Sequence, residues 1–378
     1  MSSVDKVLIV GGGIAGTALA SQLQGVGISA EIVEIEPEWT FRGIGIAMMP
    51  PAMRSLKRLG ILDECVAVGF PQGPARSCNA AGEVLTTTVL DSLTGPEDPA
   101  SIGMPRGALG RILYERALGS GATARLGLSV ESVESDDDGV DVVFTDGSEG
   151  RYDLVVGADG VRSKLRRMLF PQQEPAAFLG QSIWRVLASH RMPEVDGQIF
   201  YSNETTRAGF NPITKDDMYV YVLHETEENE PRMPDRESLE LFLELLGEYG
   251  GELLPKARDL FTLESPFHYG PLYSGFIEGS WHRGRALMIG DAAHATPPHL
   301  ASGAGIAMED AIVLPELLAE GNPVEQTLDE FNRRRYDRCR MVIENSRQLS
   351  VWDRDPDFRG PEAGQLTAES WQLLAQPI

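Results

Sequence analysis

The 378-residue sequence predicts an α/β protein: a parallel-sheet βαβ framework, a second β-rich unit inserted into it, and a C-terminal helix. Three observations carry that expectation. Lys6 to Val10 is a short apolar, β-branched run that ends in a glycine cluster and passes into helical spacing. Two stretches, 129–156 and 176–273, break into short β runs punctuated by turn residues. From Trp281 the sequence returns to an apolar strand, a glycine-rich loop and a helix.

The elements follow in order. Lys6 to Val10 suits a strand buried on both faces of a parallel sheet. Ala15, Ala18, Leu19 and Leu23 then recur at helical spacing, and Ala30 to Ile35 reads as a second strand. Met53 to Leu62 is expected to be helical with Gly60 as its stop, and Arg106 to Leu118 carries Leu109, Ile112, Leu113 and Leu118 on one face. Asp136 to Gly139 and Asp146-Gly147 are turn signals that fold 129–156 into an antiparallel meander. Strands are expected at Gln181 to Leu187, Gln198 to Tyr201 and Met218 to Leu223, with a helix at Arg236 to Tyr249. Trp281 to Ile289 reads as one apolar strand, Gly305 to Leu318 and Val324 to about Leu349 as helices, and Asp353 to Ile378 as a Pro/Gly-interrupted tail.

Composition excludes several classes of function. Apolar residues make up 42% and charged residues 24%, an ordinary globular mixture. With 33 Lys+Arg against 56 Asp+Glu the net charge is −23, which repels nucleic-acid phosphates and anionic lipid alike. No nucleic acid and no membrane partner is expected. The uncharged stretch Val7 to Ala30 lacks the basic leader and compact apolar run of a targeting peptide. Cys65, Cys78 and Cys339 form no CxxC pair, which fits packing residues in a reduced cytoplasm. Six histidines show no paired ligand spacing, so no metal is expected.

The chemistry begins at Gly11-Gly12-Gly13-Ile14-Ala15-Gly16, a G-x-G-x-x-G that follows a strand and opens a helix. Gly11 permits the tight turn, Gly13 lets backbone approach a pyrophosphate, and Gly16 permits close helix-strand packing. The helix N-terminus, at Ile14 and Ala15, faces the negative charge. Glu34, at the end of the second strand, can bond an adenosine ribose. This is a Rossmann dinucleotide signature that leaves NAD or FAD open. Two later segments bear on the choice. Asp153 to Arg166 is a strand ending in Gly157-Ala158-Asp159-Gly160 before a basic helix start. Leu287 to His294 is another strand ending in Gly290-Asp291, with Pro297, Gly303, Ala304, Gly305 and Glu309-Asp310-Ala311 behind it. An aspartate at a strand end can hold a ribityl hydroxyl, and backbone donors near Gly305 can stabilise charge on a reduced ring.

Together the three segments resemble the single-component FAD-dependent aromatic hydroxylases, the para-hydroxybenzoate hydroxylase family, over most of the first 345 residues. The resemblance implies a glutathione-reductase-like FAD domain with a β-rich substrate domain. Gly11, Gly13, Gly16 and Glu34 would hold the adenosine diphosphate half of FAD, with Arg42 and Arg106 flanking the cofactor. Asp159 would serve both FAD and a passing nicotinamide, with Arg162 and Arg166 nearby; Asp291 would bind the ribityl chain; Pro297 and Gly303 to Gly305 would border the ring. Pro51 and Ala304 depart from the family's frequent Asn and Gln. The implied organisation is an FAD domain of residues 1–75, 101–175 and 276–350, a substrate domain of 76–100 and 176–275, and a C-terminal extension of 351–378. The implied reaction consumes NADPH or NADH and molecular oxygen and hydroxylates a small aromatic or heteroaromatic compound through a flavin C4a-hydroperoxide. A same-fold epoxidase or reductase, or a catalytically silent FAD-binding protein, are the alternatives. A halogenase is disfavoured, because Trp-x-Trp-x-Ile-Pro is absent. A monomer or a homodimer is expected.

No obligatory catalytic side chain is visible, and pocket candidates come from the inserted sheet, which offers Trp184, Arg185, Phe200, Tyr201, Arg207, Phe210, Tyr219, Tyr221 and His224. Alternation puts Tyr219 and Tyr221 on one face, where they line a pocket or pack across strands. Arg207 pairs with a substrate carboxylate or is an ordinary solvated arginine. His294 is read as orienting its loop and His299 as the candidate for substrate contact.

Overall fold

The computed structural model describes residues 4–41, 43–204, 206–227, 235–355 and 362–378, so Arg42 lies outside the described residues. The four residues after Lys6 in β1 (Lys6–Val10) are all buried, which requires a parallel sheet covered on both faces. β1 pairs with β2 (Ser29–Glu34) and β12 (Leu154–Gly157), and the sheet continues to β8 (Thr123–Leu126) and β19 (Ala286–Met288), all parallel. β18 (His282–Arg283) adds an antiparallel edge to β19. The strand expected over Trp281 to Ile289 is therefore a short hairpin, broken where Gly284 takes φ +53° between two arginines.

Helix α1 (Ile14–Gly25) packs against both α4 (Arg106–Gly119) and α9 (Gly303–Ala319). The meander β9 (Val130–Ser135), β10 (Val140–Phe144) and β11 (Glu149–Tyr152) is antiparallel throughout. The helix expected over Met53 to Leu62 with Gly60 as its stop is α2 (Pro50–Arg58), and a second helix, α3 (Leu62–Val68), follows it. Proline costs nothing in the first turn and is pre-set for it, so α2 starts at Pro50, and Gly60 at φ +71° separates the pair. β3 (Gly45–Met48), β7 (Ile102–Pro105) and β4 (Phe70–Pro71) form a small sheet beside them.

The second large sheet has the order β17 (Phe267–Phe276), β13 (Ala177–Leu187), β16 (Met218–Glu225), β15 (Thr206–Pro212), β14 (Ile199–Ser202), β5 (Ala75–Asn79), β6 (Val84–Thr88). Period-2 alternation gives it two distinct faces. Trp184, Val186, Phe210, Val220 and Val222 pack with Leu239, Phe242 and Leu246 of α6 (Asp235–Leu246), which α7 (Leu253–Arg258) follows. Each such full burial contributes about 1.5–3 kcal/mol. Arg185, Tyr219, Tyr221, Arg207 and Asn211 alternate with these positions and belong to the opposite face.

Short helices α5 (Lys164–Leu169) and α8 (Asp291–His294) begin just beyond the C-terminal ends of β12 and β19. α10 (Val324–Asp353) is 30 residues long and packs on α9 and β17. The tail expected to be irregular contains α11 (Glu362–Ala375), which folds back on α10 and α2.

Candidate cofactor and substrate site

Backbone hydrogen bonds bring the three glycine-rich segments to one sheet edge. Ala158 N donates to Val10 O at 2.8 Å and Ile289 N to Gly157 O at 2.9 Å, so the loops after β1, β12 and β19 emerge side by side. The glycines answer to steric demands there. Gly11 takes φ +110°, and a Cβ on it would lie 2.4 Å from Ala158 O. A Cβ on Gly16 would lie 2.0 Å from Gly11 O and 3.1 Å from Ile9 Cγ2. Gly13 differs: it caps α1, is exposed, and a Cβ there would meet nothing within 4 Å. Open space in front of a helix N-terminus, with Ile14 half-buried and Ala15 buried behind it, suits a diphosphate. Glu34 reaches the same loop, its Oε2 accepting from Gly12 N at 2.7 Å and its Oε1 from Glu36 N at 3.0 Å.

At the next strand end Asp159 Oδ2 accepts from Lys164 N at 2.8 Å and Leu165 N at 3.2 Å. Its Oδ1 is buried and has no partner among the described residues. Burial raises the carboxyl pKa against the hydrogen bonds that lower it. Asp291 is accessible yet surrounded by protein, as a carboxylate on the floor of a cleft would be; desolvation raises its pKa, opposed by His294 and Arg106. Arg106 is exposed at the start of α4, its Cδ 2.7 Å from the position of a Cβ on Gly43. An orphaned acceptor, an accessible acid and an open helix end fit the hydroxyl and phosphate groups of a dinucleotide.

Pro297 is buried, and Gly303 and Ala304, half-buried, open α9. Gly305 has a packing role as well, since a Cβ there would come within 3.2 Å of Ala52 Cβ on α2. Behind this loop lies a buried charge cluster. Asp310 Oδ2 accepts from Gly290 N at 2.9 Å and sits 2.7 Å from His294 Nε2; Asp310 Oδ1 accepts from Arg335 Nε at 2.8 Å. His294 thus orients the turn that presents Asp291. His294, Asp310 and Cys339 offer ligand-type atoms within 4.8 Å of one another, but the Arg335 guanidinium, bonded to Asp310 and Cys339, already supplies a cation there.

The polar face of the seven-stranded sheet supplies the other candidates. Tyr219 is buried, its hydroxyl accepts from Asn211 Nδ2 at 2.7 Å, and its ring lies against Gly45 of β3. Tyr221 is half-buried, and its hydroxyl covers Gly209. Arg185 pairs across the strands with Tyr221 and faces the Tyr219 hydroxyl. Burial lowers its guanidinium pKa, the Tyr219 hydroxyl opposes that, and Arg106 adds to it. Arg185 is among the residues the inserted sheet offers by sequence, and its strict alternation with the core residues Trp184 and Val186 sets it on this face. Arg207 is not a solvated surface arginine: its Nε donates to Asp353 Oδ1 at 3.0 Å and its NH1 to the Asn203 and Thr206 carbonyls. His299 has a side chain only 4% exposed, with Nε2 3.5 Å from Asp353 Oδ2.

A profile described as "FAD binding domain" matches residues 5–346. The chain belongs to this FAD-binding family. A Pseudomonas aeruginosa 2-heptyl-3-hydroxy-4(1H)-quinolone synthase is 30% identical over 92% of this chain and 90% of its own. A Klebsiella oxytoca FAD-dependent urate hydroxylase is 28% identical over 91% and 89%. Among solved structures, Klebsiella pneumoniae HpxO with FAD and uric acid superposes with a TM-score of 0.83 at 24% identity, covering 98% of this chain and 93% of that one, and so shares the fold. The protein is an FAD-dependent oxidoreductase of the monooxygenase kind. Among the described residues no helix is long and apolar enough to cross a membrane.

Proposed function

We propose that this FAD-binding protein uses NADPH or NADH and molecular oxygen to hydroxylate a small aromatic or heteroaromatic compound in the reduced cytoplasm. The observation that carries the reading is the meeting of Gly13, Asp159 and Asp291 at one sheet edge, with Arg106 linking Asp291 electrostatically to Arg185 on the tyrosine-bearing face. Bound FAD would supply hydride acceptance and oxygen activation. The chain's own residues do the rest. The α1 N-terminus and Glu34 would hold the adenosine diphosphate half, Asp159 and Asp291 the central hydroxyls, and Pro297 with Gly303 to Gly305 the ring edge.

Only one G-x-G-x-x-G occurs, which supports a nicotinamide that visits an open groove. Arg162 is exposed beside Asp159 and suits that visit. Arg185, Tyr219 and Tyr221 would orient the substrate and exclude water from the reacting edge. The division of labour places the cofactor on 1–75, 101–175 and 276–350 and the substrate sheet on 76–100 and 176–275. The active unit is a monomer or a homodimer.

The test is a compound screen on purified, FAD-saturated protein, following NAD(P)H consumption and identifying products by mass. We expect substrate-stimulated oxidation with gain of one oxygen atom. Bound FAD with no turnover, or products that are merely hydrogenated, would overturn the hydroxylase reading.

A further inference from the structure

Between α2, the first turns of α9 and the C-terminal helix α11 lies a small cavity. Met49, Pro51, Ala52, Ile306 and Leu374 give it apolar walls, and Gly305, Ser302 and Glu309 adjoin them. It offers about 10 Å³ to the centre of a water-sized sphere, enough for one very small molecule and far too little for an aromatic ring. Glu309 and Leu374 set it one turn into α9, on the face that packs against α2, and so behind the helix start that would border the cofactor ring.

The polar side chains of the wall are already committed. Ser302 Oγ donates to Leu300 O at 2.8 Å. Glu309 Oε1 accepts from Arg338 Nη2 at 2.7 Å, and its Oε2 from Arg335 Nη1 at 2.8 Å and Arg338 Nε at 2.7 Å. Leu374 O accepts from Arg54 Nη2 at 2.9 Å and Arg338 Nη2 at 2.6 Å, which fixes that residue as a wall. Arg54 Nε lacks a partner among the described residues, but Arg54 is not one of the walls. The open N–H groups of the first turn of α9 run along the helix axis toward the ring edge. A buried water wants about two to four polar partners, and an apolar cavity without them stays dry and takes apolar gases. Pro51 and Ala304, the two departures from the family's frequent Asn and Gln, both remove an amide at this end of α9. The dryness is therefore a feature of this chain's own residues.

We propose that this cavity holds one molecule of dioxygen in reserve for the reduced cofactor. Dioxygen is apolar, diatomic and makes no hydrogen-bonding demand, and it regains the dispersion contacts that an empty void forfeits. Gly305 belongs both to the wall and to the helix start beside the ring, so no side chain blocks the way between them. No bond forms or breaks in the cavity. The identity of the gas rests on the oxygen-consuming reaction proposed above; the cavity and its dryness do not.

The experiment uses the full chain with oxidised FAD bound and no reductant, so that dioxygen is not consumed. Carbon-13 methyl NMR under dissolved dioxygen reads occupancy directly, because the paramagnetic gas speeds the relaxation of methyls beside it. We expect the Ile306, Met49 and Leu374 methyls to relax faster by about threefold or more than the equally buried Ile9 and Ile32 methyls of the parallel sheet. Pro51→Asn, which returns an amide to the wall, and Leu374→Phe, which fills the space, should each abolish that excess. In stopped flow both should slow reoxidation of reduced FAD by dioxygen by about threefold or more, with FAD affinity unchanged. Native methyls that relax no faster than the sheet methyls, water-to-methyl Overhauser contacts at native Ile306, or variants that lose the excess yet reoxidise at the native rate would each overturn the proposal. The native spectrum and Pro51→Asn decide the matter should Leu374→Phe fail to fold. Neither readout needs a hydroxylated product. A filled cavity with no oxygenated product in the compound screen would sink the hydroxylase reading alone, and oxygenation with an empty cavity would sink this one alone.

Discussion

Gly13 and Gly16 stand in the same loop and answer to different physics. Gly16 is held by packing, because a Cβ would sit 2.0 Å from Gly11 O. Gly13 adopts φ −75° and ψ −169°, a conformation open to alanine, and faces empty space. Gly16→Ala should therefore cost about 1–3 kcal/mol or more in FAD-free thermal stability as the helix is pushed from the strand. Gly13→Ala should leave the FAD-free melting within about 0.5 kcal/mol of native. It should still weaken FAD binding about tenfold, about 1.4 kcal/mol, measured by flavin fluorescence titration. Equal loss of stability in both variants would remove the distinction. The packing role of Gly16 is legible in sequence because motif, strand and helix agree locally. Arg185 stands out in its own strand by alternation with Trp184 and Val186, but its partner does not, because the Arg185↔Tyr221 register is not contained in one strand's sequence.

At the scale of elements, α10 fastens α9 through charges taken out of water. Arg335 and Asp310 are 0% exposed and Glu309 is 1% exposed. Arg335 bonds both acids, while Arg338 donates to Glu309 from the next turn. Glu309-Asp310 was visible as part of the third motif, but its partners lie on another helix, and only the antiparallel packing of α9 and α10 joins them. Burial pushes the Asp310 pKa up, yet His294 and Arg335 outweigh it and hold the carboxyl below its ordinary value. A depressed folded-state pKa contributes stability that is present above the unfolded value, about 3.9, and is lost as pH falls through the lower folded one. Arg335→Met leaves the acids buried without their principal cation and should cost about 3–5 kcal/mol at pH 7. In the variant the acids' folded pKa lies higher than in the native protein, so acidification favours its folded form. The gap between the two melting temperatures should narrow from pH 7 toward pH 4. A gap that widens over that range would contradict the assignment. Helix ends show the same limit of local reading: α2 begins at Pro50, three residues before the expected start at Met53.

Across the whole molecule, the change from helical to β-rich text at about residue 176 revealed an inserted sheet, but not how firmly the sheet is tied down. β5 and β6 come from residues 75–88, and β5 runs parallel to β14 at the far side of that sheet. The resemblance already assigns 76–100 to the substrate unit, but no apolar alternation marks β6 as a strand, and all five of its residues are exposed. At the opposite edge the end of β17 bridges to the last residue of α8 and the one after it, Phe276 to His294 and Gly275 to Ala295. The inserted sheet is thus laced to the cofactor framework at both margins, and the two should unfold together. Trp184, 0% exposed in the sheet core and remote from the glycine loops, tests this. Trp184→Ala should lower stability by about 3–5 kcal/mol. FAD at about 100 times its Kd should then restore about 2.7 kcal/mol in the variant as it does in the native protein, because ligand linkage acts on whatever unfolds with the site. Far-ultraviolet circular dichroism and release of flavin fluorescence should follow one transition. If the variant loses sheet signal first, at a temperature that added FAD does not move, the sheet folds as an independent unit and the lacing carries no energetic weight.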